Sequence, residues 1–145
     1  MADNGADNSN YFEGWYNRSP GIAHVGSFQV AGTPYITGSV NLDNGAEDAI
    51  KFPRVTKSIK ILNHGPADLR VHFASTAAGV GNVVANRHFI NLVKTSGSLD
   101  LPAKCVDVFI SNASGVNNGR YDLYAELTTI DRGRMYPVTG SGVTE

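Results

Sequence analysis

Short stretches of alternating apolar and polar residues organise this chain, and almost all of them have the two-residue period of a strand with one buried face. The clearest is 58–63, where Ile59 and Ile61 fall on one face and Ser58 and Lys60 on the other. Residues 69–74 repeat the pattern, with Leu69, Val71 and Phe73 inward and Arg70 and His72 outward. His64-Gly65-Pro66-Ala67 separates them as a turn, so 59–73 reads as a hairpin. Residues 105–111 alternate again, with Val106, Val108 and Ile110 on the core face. Residues 121–128 form a last strand, with Tyr121, Leu123, Ala125 and Leu127 inward.

Weaker extended segments complete the set. Residues 24–31 alternate Val25, Ser27, Gln29 and Ala31 with Gly26, Phe28 and Val30, and Gly32-Thr33-Pro34 then reads as a turn. A strand over 35–40 runs into Asp43-Asn44-Gly45, a turn whose Asn and Gly tolerate positive φ. Residues 88–93 form a strand of open register. Residues 97–102 read as a short edge strand closed by Pro102. About eight strands separated by Gly- and Asn-rich turns predict an all-β antiparallel β-sandwich, jelly-roll-like.

Two ends and one loop fall outside this pattern. Residues 1–22 read as an N-terminal arm, 23–131 as the sandwich domain and 132–145 as a C-terminal tail. In the arm, Tyr11, Phe12, Trp15 and Tyr16 crowd four aromatic rings into six residues, and Arg18 follows. That much ring area needs a surface to cover, either the chain's own core or another subunit. The loop 75–86 is long, small-residued and uncharged, which suits either a flexible loop or burial under a partner. The tail carries Arg134 and Tyr136.

Composition narrows the classes. Of 145 residues, 41% are hydrophobic and 17% charged, enough apolar material for one core. Sixteen glycines and thirteen asparagines fall mostly between β-branched runs, as turns require. The formal charge of −1 gives no field that would favour nucleic acid or an anionic membrane. No apolar run approaches a membrane span, and the first thirty residues do not read as a signal peptide. A lone cysteine, Cys105, excludes an intrachain disulfide and reads as a packed, inert thiol.

Candidate chemistry is sparse. His24, His64, His72 and His88 show no metal-ligand spacing, and a spatial meeting of His72 with His88 is the one arrangement worth testing. Glu47-Asp48 reads as solvation rather than an acid/base pair. Asp3-Asn4-Gly5 and Asp43-Asn44-Gly45 read as turns rather than calcium loops. No nucleophile elbow or phosphate-binding loop is present. The densest basic run is Lys51, Arg54, Lys57 and Lys60; it reads as a solvated face with edge lysines that block stray strand pairing. These features predict no enzyme and no cofactor.

Three stretches carry a resemblance. They are His24-Val25-Gly26-Ser27-Phe28-Gln29-Val30 with Pro34-Tyr35-Ile36-Thr37-Gly38-Ser39; Phe52-Pro53-Arg54-Val55-Thr56-Lys57-Ser58-Ile59 with Leu69-Arg70-Val71-His72-Phe73; and Ala125-Glu126-Leu127 with the run from Gly133 through Tyr136 to Gly142. Over roughly residues 24–142 the chain resembles small virion proteins of tailed bacteriophages of the marine and cyanobacterial type. The resemblance implies a structural β-sandwich on the particle, a capsid decoration (cement) protein. It implies a homotrimer on the capsid surface, made in the host cytoplasm, bound to the major capsid protein or other virion subunits. A tail or neck component, a lectin-like carbohydrate-binding module and, third, an enzyme are the alternatives. On this reading the partner interface comprises Tyr11, Phe12, Trp15, Tyr16, Arg18, Arg134 and Tyr136, with no nucleic acid or membrane involved.

Overall fold

A computed structural model describes residues 21–76, 83, 87–136 and 138. The chain opens with a five-residue helix, α1 (Val25–Gln29). Eight strands follow: β1 (Thr33–Leu42), β2 (Glu47–Lys51), β3 (Arg54–Asn63) and β4 (Leu69–His72), then β5 (Ile90–Leu92), β6 (Ser98–Leu101), β7 (Asp107–Ser111) and β8 (Gly119–Asp131). A 3-10 turn, Arg132–Arg134, closes the described chain.

The strands form two four-stranded sheets, ordered β1-β8-β3-β6 and β2-β7-β4-β5, and every pair is antiparallel. The all-β antiparallel sandwich expected from the alternation is the fold. In four of the six pairs the partner numbers sum to nine, β1 with β8, β2 with β7, β3 with β6 and β4 with β5, and the other two, β3 with β8 and β4 with β7, join these pairs into the two sheets. The chain is in effect one long hairpin whose two arms are wound together into both sheets.

β8 shows why alternation dictates this. Tyr121, Leu123, Ala125 and Leu127 are buried, while Arg120, Asp122 and Tyr124 between them are exposed. These inward residues meet Ile59 and Ile61 of β3 from the same sheet, and Val71, Val108 and Ile110 from the facing one. Burying such side chains is the main force closing the two layers, at about 1.5–3 kcal/mol each.

Local expectations are corrected at three places along the chain. Residues 59–73 are not a hairpin, because β3 and β4 lie in different sheets. In a sandwich both strands point their apolar faces at the same core, so a turn within one sheet and a crossing between sheets produce the same alternation. The crossing is fixed by buried Asn63. Its Nδ2 donates to the carbonyls of Ala67 (2.9 Å) and Leu92 (3.0 Å), and its Oδ1 accepts from Gly65 N. Gly65 also passes close to β8, where a Cβ would lie 2.5 Å from Arg120 N.

The extended segment expected at 24–31 is instead α1. The His24 ring caps it, with Nδ1 accepting from Ser27 N at 3.2 Å and sharing a 2.8 Å bond with Ser27 Oγ. A local cap decides the conformation of a segment too short to show a helical period. The turn expected at 32–34 is absent too: Thr33 and Pro34 already belong to β1. Third, His72 is on the outer face of its sheet, as its phase requires, yet it is buried at 1% exposure rather than solvated.

Candidate functional site

The burial of His72 follows from the chain that leaves β4. Residues 73–76 fold back over the outer face of the β2-β7-β4-β5 sheet. His72 Nδ1 lies 2.7 Å from Ala74 O, so that nitrogen carries the proton and donates. Nε2 is then free to accept from Ser111 Oγ at 2.9 Å. Glu47 Oε1 stands 3.8 Å from Nε2 and is itself held by Ser75 Oγ, Thr76 N and Thr76 Oγ1. The imidazole lies nearly parallel to the Phe109 ring, 5° between planes and 6.0 Å between centroids. Strand register places these groups, since Glu47 is paired with Ser111 and Ser111 with Arg70, while His72 is paired with Phe109.

A serine hydroxyl donating to a neutral imidazole is the geometry of an activated nucleophile. Its surroundings argue for a structural role. Ser111 is only 7% exposed, and the cavity that His72 helps line includes neither Ser111 nor Glu47. Burial lowers the affinity of His72 for a proton below the ordinary 6.5, against the opposing pulls of Ala74 O and Glu47. Burial alone would raise Glu47, but the bonds from Thr76 and Ser75 outweigh it and keep the carboxyl below its ordinary 4.5. The cluster is a neutral histidine and an ionised carboxylate, each satisfied by neighbours.

That cavity, about 290 Å³, is lined by Val71, Phe73, Phe89 and Leu101 as well as by His72 and His88. The two histidines do come to one place. His88 Nδ1 is buried there without a hydrogen-bond partner. Among the described residues no group of three potential metal ligands forms. Cys105 is buried, its thiol pushed up to about 11 by burial, which leaves it protonated at neutral pH.

The outer face of the β1-β8-β3-β6 sheet is different in character. Ile36 on β1 is 76% exposed and stands directly opposite Tyr124 of β8, itself 38% exposed. Tyr124 pairs in turn with Lys60, and Lys60 with Asp100. Val30 and Val40 are exposed as well. Polar and charged groups frame this apolar strip: Lys57 reaches Glu126 at 3.8 Å and donates to Val30 O, and His64 lies 3.1 Å from Asp122. An apolar strip rimmed by charge is the composition of a contact surface. Sequence reading missed it because residues 35–40 are apolar or small on both faces, so the alternation does not mark which side is wet.

Of the residues expected at the partner interface, Tyr11, Phe12, Trp15, Tyr16 and Arg18 lie outside the described residues, as does most of the uncharged loop, of which Val83 is buried. Arg134 and Tyr136 are described and exposed, in and just after the 3-10 turn. The residue that fastens this turn is one that sequence reading passed over. Arg132 donates to the carbonyls of Phe52 (2.6 Å) and Val106 (3.4 Å) and to Asp107 Oδ1 (3.1 Å). Tyr136 then lines a cavity of about 240 Å³ with Phe73, Asp107, Arg132 and Met135.

In comparisons with known proteins, no family model, no curated protein and no solved structure matches this chain.

Proposed function

We propose that this chain is a structural protein of a virus particle, a capsid decoration protein of the tailed-bacteriophage type that its sequence resembles. On this reading it works at the capsid surface, after synthesis in the host cytoplasm, through contacts with the major capsid protein and with its own copies as a trimer. The jelly-roll winding of the sandwich belongs to the same proposal, supported by partner numbers that sum to nine in two four-stranded sheets.

One contrast carries the reading. Among the described residues, the group in which His72, Ser111 and Glu47 meet is buried and hydrogen-bonded, while the surface offers an exposed apolar strip at Ile36 and Tyr124. Such a molecule is suited to binding rather than turnover. The aromatic arm, with Tyr11, Phe12, Trp15, Tyr16 and Arg18, supplies the principal anchor, and Arg134 and Tyr136 extend it. An arm of twenty extended residues reaches about 65 Å, enough to cross to a neighbouring subunit.

Quantitative mass spectrometry of purified particles from the phage that encodes this chain tests the proposal. The chain is expected in a high, fixed ratio to the major capsid protein. Its absence from the particle would remove the reading, and a position confined to purified tails would reassign it to the tail.

A further inference from the structure

The sandwich has four sheet edges, and β1 differs from the other three. β2 carries Glu47, Asp48 and Lys51, β6 carries Asp100, and β5 is three residues long. Charge, brevity, proline and bulges are the usual protections against stray pairing. β1 runs for ten residues, Thr33–Leu42, without a charged side chain, and its proline and its bulge lie toward its two ends, at Pro34 and after Ser39. Among the described residues nothing pairs with its outer edge.

We infer that this edge is a self-association site, at which β1 of a second copy pairs antiparallel about a two-fold axis through Ile36. The register of the chain itself selects that axis. β1 follows β8 without a break from Thr33 to Ser39, and an irregularity follows, since Ser39 is paired with Tyr121 but Leu42 with Gly119. The extra residue bends the strand and ends its flat part. The flat part is therefore residues 33–39, and its midpoint is Ile36. A two-fold axis there places Ile36 against Ile36 of the second copy, Tyr35 against Thr37, Pro34 against Gly38 and Thr33 against Ser39. Each residue meets one of compatible size and no charge.

The neighbouring strand extends the match. Tyr124 stands opposite Ile36 on the outer face, so pairing creates a row of four apolar side chains, Tyr-Ile-Ile-Tyr, across two molecules. The nearest acidic residues do not collide. Glu126 sits beside Pro34 and Asp122 beside Gly38, which puts Glu126 of one copy three strand spacings from Asp122 of the other. At about 4.8 Å each this is roughly 14 Å, beyond the screening length of about 8 Å at physiological salt. Pro34 lacks an N–H, a feature tolerated at an edge, and it trims the ladder at each end.

Seven residues per copy make a small contact, on the order of 1,000 Å² or less in total, at the low end for specific association. The dimer is accordingly weak and concentration-dependent. It is isologous and distinct from any three-fold contact, and it stands whether or not the chain belongs to a particle.

Cross-linking tests the axis directly. Paired residues in antiparallel strands have Cα atoms about 4.5–5.5 Å apart, within the span of a disulfide. In the full chain, Ile36→Cys is oxidised with diamide at tens of micromolar protein, beside Val93→Cys, another exposed position at 57%. Native Cys105 is buried and gives little background. The expected result is a 36–36 linked dimer of twice 15.4 kDa, formed about tenfold faster than any Val93→Cys dimer. Equal rates for the two variants would overturn the inference. Sedimentation equilibrium supplies a second reading, in which Ile36→Lys, placing like charges in register, weakens the dimer by about tenfold. Self-association unchanged by Ile36→Lys would also overturn it.

Discussion

Tyr121 and Asp48 are joined across the interior of the sandwich: the Tyr121 hydroxyl, on β8 of one sheet, donates to Asp48 Oδ2, on β2 of the other, at 2.8 Å. Burial, with Asp48 beside it, raises the phenol well above its ordinary value, so it is a donor at every pH at which the fold is studied. Removing the hydroxyl in Tyr121→Phe leaves the half-buried carboxylate without this partner. The expected loss is about 1–2 kcal/mol in urea unfolding, with an unchanged circular-dichroism spectrum.

A charge at the centre of the core has a larger effect. Val71 is buried between the sheets, and Val71→Asp leaves a carboxylate there with no partner. The expected cost is several kcal/mol. A melting temperature within a few degrees of the parent would show that the phase of β4 has been misassigned.

Acid should weaken the fold in two steps. The folded chain holds His72 below 6.5, so the unfolded chain takes up a proton first as pH falls. The stability associated with neutral His72 is complete above about pH 6.5 and is lost progressively below it. Glu47, held below 4.5 in the folded state, adds its loss only as pH falls past about 4.5. Urea midpoints measured from pH 8 to pH 5 should decline below 6.5. In His72→Gln that decline should be shallower, whatever the variant's absolute stability.

Arg132→Ala should release the 3-10 turn. Three acceptors lose their guanidinium donor, and because the side chain is partly exposed the cost is about 1–2 kcal/mol. Hydrogen exchange at residues 132–136 should rise more than exchange in β8, which keeps both its neighbours.

Deletion of residues 1–20 tests the anchor. The two-sheet core is built from residue 33 onward, so the β spectrum of the shortened chain should match the parent. On the proposed function, binding to the particle should be lost. Retained binding would move the interface to the sandwich or the tail, and a lost spectrum would make the arm part of the core.

The alternation of β3, β4, β7 and β8 is legible because each points its apolar side chains at one shared core. Period two reports which face a side chain takes, however, and not which strand lies beside it. Hence the alternation puts Ile59 and Val71 inward, where they are, but pairs the strands that carry them, which lie in different sheets. Position along the strand also failed to reveal burial at His72, since what covers it is the returning chain at Ala74, Ser75 and Thr76 rather than the opposite sheet. Ile36 posed the reverse difficulty. Its neighbours Tyr35 and Thr37 are as suited to an interior as it is, so only the register with Tyr124 shows that it faces outward.

The sum-of-nine pairing has a consequence for biosynthesis. The first strand to leave the ribosome, β1, pairs only with the last, β8, and β3 also needs β8 as its neighbour. The pair that closes over the shortest span is β4 with β5. Each pair outside it spans a longer loop, and non-local closure of this kind is slow. β1 therefore has no partner strand, and β3 only β6, until translation reaches Asp131, and through that interval the uncharged β1 is a bare strand in a crowded cell.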